Sequence, residues 1–162
     1  MALTTLSAIY EAARAAASTL DISIYIGRIT DYATSGNVAQ LDDPILVIEF
    51  PTGSASPTQR GSAIRTTYDV RGYMLTSDDE NSGADTVLET NFAIPARQTS
   101  IEAMDLLMTQ WVFAFRSEVE AIGGEFTSAG SGQTYDRFTS NTKVGVGRTF
   151  GVAIVNTSCD ND

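Results

Sequence analysis

Leu3, Leu6, Tyr10, Ala13, Ala17 and Leu20 recur every three or four residues. That spacing gathers them on one side of a helix and predicts an amphipathic α-helix over residues 3–19. The other side is small, Ala and Ser, with only Glu11 and Arg14 charged. So thin a polar face fits a helix contacted on more than one side, or simply alanine's preference for helix. Ile22, Ile24 and Ile26 then alternate with Ser23, Tyr25 and Gly27, the period of a half-buried strand. Residues 30–43 are polar, with Ser35-Gly36-Asn37 as a turn signal. Pro44-Ile45-Leu46-Val47-Ile48-Glu49-Phe50-Pro51 follows. Five apolar residues around one Glu, fenced by prolines, predict a central strand covered on both faces. Residues 52–62, rich in Gly, Ser and Pro, read as an exposed loop.

Alternation returns over residues 64–76. Ile64, Thr66, Tyr68, Val70 and Met74 share one face, and Arg65, Thr67, Asp69, Arg71 and Tyr73 the other. This predicts a long strand, bulged near Gly72. Its polar face suits either solvent or a neighbouring subunit. Residues 77–85 (SDDENSGAD) are acidic and turn-prone, and residues 87–94 return as a strand before Pro95. Thr99 with Glu102 three residues on makes a capping box, which satisfies backbone N–H groups at a helix start. Ile101, Met104, Met108, Trp111, Phe115, Val119 and Ile122 form the stripe of a long helix that Gly123-Gly124 closes. Residues 126–134 read as a Gly/Ser loop, and strands are predicted at 135–139 and 144–155. The order gives one α+β domain over residues 1–162, with residues 156–162 as a flexible tail. Its sheet is mainly antiparallel, with the N-terminal helix and the long helix packed on one face.

Composition narrows the function. Apolar residues are 43% and charged ones 19%, the balance of an ordinary soluble domain, and no run is long enough for a membrane span. The start lacks a basic region followed by an apolar one, so no signal peptide is expected. Ten basic residues against twenty acidic give a net charge of −10, which repels the phosphate backbone of nucleic acid. The same charge would let nucleic acid pass an acidic wall without sticking. There is no histidine, and the single cysteine is Cys159. Histidine-based nucleophilic sites and general bases, structural zinc and an internal disulfide are thereby excluded. The inventory argues against an enzyme and implies no cofactor.

Three motifs bear on chemistry. Asp78, Glu80, Ser82, Gly83 and Glu89 stand at the first, third, fifth, sixth and twelfth places of an EF-hand loop. The eighth place, which should be apolar, is Asp85, and the flanking sequence is strand-like. A calcium-dependent binding module is the resulting alternative, with a mobile acidic loop the better reading. Gly145-Val146-Gly147-Arg148-Thr149-Phe150-Gly151 lacks the spacing and the following helix of a dinucleotide fingerprint. Its glycines are expected to let another backbone approach a strand. Asp69 and Glu49 are candidates for a carboxylate pair in hydrolysis, but spacing along the chain does not bring them together. Trp111 and the methionines fall on the helix stripe and read as core.

The opening helix, the strand at residues 22–27, the proline-preceded strand at 44–48 and the long strand at 66–75 come in a characteristic order. With the helix at 101–122 and the closing strand at 147–155, this layout resembles the tail-terminator and tail-completion (neck) proteins of tailed bacteriophages. The similarity covers most of the chain and is one of layout, without an invariant motif. The long segments at 52–62 and 77–85 depart from the pattern, which leaves tail tube, baseplate or head-closure membership open. The resemblance implies a virion structural protein, not an enzyme, assembled in the host cytoplasm into a homo-oligomeric, often hexameric, ring. Such a ring caps the tail tube protein, meets the head–tail connector proteins, and lets DNA pass through its lumen without specific binding.

Overall fold

The computed structural model describes residues 5–34, 41–57, 64–77, 86–89, 92–138 and 143–156. Among them run α1 (Thr5–Ser18), β1 (Ser23–Ile26), α2 (Ile29–Thr34), β2 (Ile45–Pro57), β3 (Ile64–Ser77), β4 (Thr86–Glu89), β5 (Phe92–Pro95), α3 (Ala96–Ala121), β6 (Gly124–Phe138) and β7 (Lys143–Asn156). The fold is α+β. A five-stranded sheet has the order β1-β2-β3-β7-β6, and β4 and β5 form a separate two-stranded ribbon. Only the β1–β2 pair is parallel.

The predicted central strand is covered on both sides. Leu46 and Ile48 join the main core, whereas Ile45 and Val47 belong to a second cluster on the opposite face. That alternation follows from the two-residue period of a strand. The main core lies under α1 and α3, where Ile9, Ala13, Met108, Trp111, Phe115, Phe150 and Val152 are buried. Trp111 stacks on Phe115 with ring centroids 4.8 Å apart and meets Phe150 edge-on at 5.7 Å. Its indole N–H donates to the Ala13 carbonyl oxygen at 3.3 Å. The alanines of α1 explain that reach: Ala12, Ala13, Ala16 and Ala17 are buried, and small side chains let two helix backbones approach. On that arc the alanines serve packing, while Glu11, Arg14 and Ser18 stay exposed.

Several expectations are corrected. The six-residue helix α2 occupies part of the polar stretch, and its Ile29 and Tyr32 pack on the second face with Tyr25, Leu41 and Tyr73. The two predicted helices therefore share one face, but a third element covers part of the other. Glu49 organises α2 by accepting a hydrogen bond from the Ile29 amide at 3.2 Å, a donor that a helix start would otherwise leave unsatisfied. Residues 52–57 are not loop but the outer half of β2, paired with residues 64–69. Since β1 pairs only with residues 45–48, this half of β2 is a sheet edge, where proline is tolerated. The register shift lies between Glu49 and Thr52 on β2, not at Gly72, because Pro51 has no N–H to donate to the ladder. Gly72 instead makes room for Phe150, Ile48 and Met108 above it.

Residues 126–134 are likewise strand, part of β6, whose pairing with β7 shifts register three times. The return strand before Pro95 is a hairpin of two short strands. The long helix starts at Ala96, directly after Pro95, so Thr99 lies inside it and is not its cap. At 26 residues it is about 39 Å long. Its end is as expected: Gly123 takes φ +77°, the left-handed turn that glycine accepts readily. No helix among the described residues is long and apolar enough to cross a membrane.

Candidate functional site

Among the described residues, a close gathering of reactive side chains lies at one end of the sheet. β3 ends at Ser77, β7 begins at Lys143, and the segment entering β2 carries Asp43 before the cis Asp43–Pro44 bond. Lys143 Nζ is 2.6 Å from Asp43 Oδ1 and 3.0 Å from Ser77 Oγ. The Ser77 amide donates to Asp43 Oδ2 at 2.9 Å, and the Ser77 hydroxyl makes a short hydrogen bond to the same oxygen. Partial burial works to raise the Asp43 carboxyl. Hydrogen bonds from Lys143 and Ser77, with the lysine's charge, outweigh it and hold the group below the usual carboxylate range. Burial first, then the charge of Asp43, raises the nearby Tyr32 phenol.

A serine hydroxyl 3.0 Å from a lysine amine is the spacing of a serine–lysine nucleophile. The proton arrangement here opposes that chemistry. Asp43 stays ionised and engages the Lys143 amine at 2.6 Å, so that amine is committed to a carboxylate instead of standing ready for the serine proton. Ser77 in turn directs its own proton at Asp43. The cluster is a polar clamp joining three chain segments. Spacing along the chain carries no sign of it, although Lys143 is the only lysine.

The sequence candidates do not converge. Asp78, Glu80, Ser82 and Gly83 of the acidic loop, with Asp85, lie outside the described residues, and Glu89 pairs with Phe92 in the β4–β5 ribbon. Asp69 is exposed on β3 opposite Thr52, and Glu49 is engaged by Ile29. The glycine run lies within β7 as expected. A side chain at Gly145 would collide with the Met74 carbonyl oxygen of the neighbouring strand.

What the chain does present is surface. Away from α2, the second sheet face carries Arg65, Thr67, Asp69 and Arg71 from β3 with Thr149 from β7, and Asp69, Arg71 and Thr149 are exposed. Arg65 reaches over β7 to Glu125 at 2.9 Å. The fifteen-residue β6 forms one edge of the sheet. On α3, Leu106 and Phe113 are 61% and 68% exposed although large and apolar. Being seven residues apart, they lie two turns from each other on one stripe. Sequence reading assigned the helix a single apolar stripe and passed over this second one. No protein-family model matches the chain, and no curated protein is found to match it either.

Proposed function

We propose that the protein is a virion structural subunit, a ring-forming tail terminator that caps the tail tube and joins it to the head connector. The order of elements supports this reading, because it is the layout on which the resemblance to tail-terminator proteins rests. The observation that carries the self-assembly part is the exposure of Leu106 and Phe113 on α3. Large apolar side chains grouped outside a core mark surfaces that another molecule covers. A surface that differs from the one it binds gives heterologous contacts, which close into a ring when the rotation closes. The net charge of −10 suits a lumen through which DNA slides without adhering.

Mass photometry and electron microscopy of the purified protein test the reading. Closed rings that bind tail-tube ends are the expected result. A strictly monomeric protein at high concentration, without affinity for tail tubes, would overturn it. Long open filaments would instead favour a tube subunit.

A further inference from the structure

On the second face of the sheet, Asp69 and Arg71 stand side by side in β3, exposed and opposite in charge. Among the described residues, neither is engaged by a hydrogen bond or an ion pair. Other charged side chains of this face are taken: Arg65 binds Glu125, and Glu49 accepts the Ile29 amide. The β7 positions beside the free pair are mostly bare. Gly151 lies opposite Asp69 and Thr149 opposite Arg71, with Gly147 next on the same face. Thr149 is thus an exposed side chain between two positions that carry none. The Arg65–Glu125 pair bounds this patch at one end, and Tyr73, packed with the α2 cluster, at the other.

The patch is complementary to itself. A two-fold axis parallel to the sheet, crossing β3 at the level of Val70, turns a second sheet to face the first. Each strand then lies antiparallel over its own copy. Residues exchange levels about Val70 and its β7 neighbour Phe150, so Asp69 meets Arg71 of the other copy and Arg71 meets Asp69. The same operation sets Thr149 over Gly151 of the other copy, a side chain over a position without one. Packed sheets lie about 10 Å apart, a gap that suits a long arginine facing a short aspartate. An axis along the strands would instead set Asp69 on Asp69, which like charge opposes. Charge and shape therefore select one arrangement. We propose that two copies of the chain pair face to face through β3 and β7 about this axis, with two Asp69–Arg71 ion pairs at the centre. The contact is isologous, so it is separate from the heterologous contact that closes a ring, and neither depends on the other.

Charge exchange in the full-length protein tests this. Asp69→Arg leaves two arginines in the patch and Arg71→Asp two aspartates. The double variant, Asp69→Arg with Arg71→Asp, restores opposite charges in exchanged positions. Both sites are exposed, and far-UV circular dichroism with Trp111 emission establishes that each variant is folded. Sedimentation equilibrium is expected to show pairing of the wild type, weakened at least about tenfold in either single variant, where like charges face each other. Pairing is expected to return in the double variant and in an equimolar mixture of the single variants, where two arginines meet two aspartates. Single variants that pair as the wild type does, or a double variant or mixture that stays unpaired, overturn the contact. Wild-type protein that is monomeric throughout overturns both this contact and the ring reading. Pairs without rings keep the contact and remove the terminator, whereas rings that never pair remove the contact and keep the terminator.

Discussion

Phe113 and Phe115 are two residues apart on the same helix and have opposite fates. Phe115 is fully buried, stacked on Trp111 and edge-on to Phe126 at 5.9 Å, whereas Phe113 is 68% exposed. A helix turns about 200° over two residues, so such a pair must face opposite sides. The composition of α3 therefore says little about what it buries. Only the inner stripe is matched by apolar positions on the sheet, from Val70 and Met74 to Phe150 and Val152. Among the described residues the outer stripe has no such counterpart, which separates residues that hold the domain together from residues available to a partner.

The largest test of that separation is truncation on the inner side. Phe115→Ala should destabilise the domain by about 3–5 kcal/mol, through lost transfer energy and the cavity left behind. Urea denaturation followed by Trp111 fluorescence measures it. A loss below about 1 kcal/mol would mean that the inner stripe is not the core it is taken to be.

Much of this inner side was legible in the sequence, because periodicity reports burial on one face. The stripe from Ile101 to Val119, the two-sided strand at Ile45–Ile48 and the alternation in β3 all follow from it. The misread segments have a common cause. Residues 52–57 and 126–134 have weak intrinsic strand preference, yet their partner strands β3 and β7 impose the ladder on them. The helix α2 was missed because six residues are too short for a helical period to show, and Glu49, which anchors its start, is twenty residues away. The Asp43–Ser77–Lys143 clamp was invisible for the same reason: its members are 34 and 66 residues apart and meet only once the sheet is formed.

A backbone contact in the sheet offers the next largest effect. Gly145→Ala would set a methyl group against the Met74 carbonyl oxygen, and backbone cannot yield as a side chain does. About 3 kcal/mol of destabilisation is expected, near the upper end for overpacking. At Gly72 the nearest atoms are side-chain ends, Phe150 Cε2 at 3.3 Å and Met108 Cε at 3.6 Å. They can shift, so Gly72→Ala should cost only about 1 kcal/mol. Equal thermal midpoints for the two variants would contradict this ordering.

The clamp asks whether a polar tie outside the core carries stability as well. Asp43→Asn removes a charge that Lys143 and Ser77 both use, and should cost about 1–2 kcal/mol at neutral pH. Folding lowers the Asp43 pKa, so its contribution is complete above the unfolded value near 4 and fades as pH falls through the lower, folded value. The gap between wild type and Asp43→Asn should therefore narrow below about pH 4. A gap that stays constant down to pH 2 would show that the charge is not what matters. Acylation of Lys143, the only lysine side chain, should also be faster in the variant, and peptide mass spectrometry reads it directly.

The smallest effect completes the contrast with which α3 began. Phe113→Ser removes an aromatic ring from a position already mostly in water, so little transfer energy is lost and no cavity forms. Unfolding free energy, measured at a protein concentration where self-association is negligible, should stay within about 0.5 kcal/mol of wild type. The same comparison at high concentration should diverge, because any stabilisation by a neighbouring copy grows with protein concentration and depends on that ring. A loss of several kcal/mol in the dilute sample would place Phe113 among the residues that hold the domain together. The outer stripe of α3 would then be part of the fold and not a surface kept for a partner.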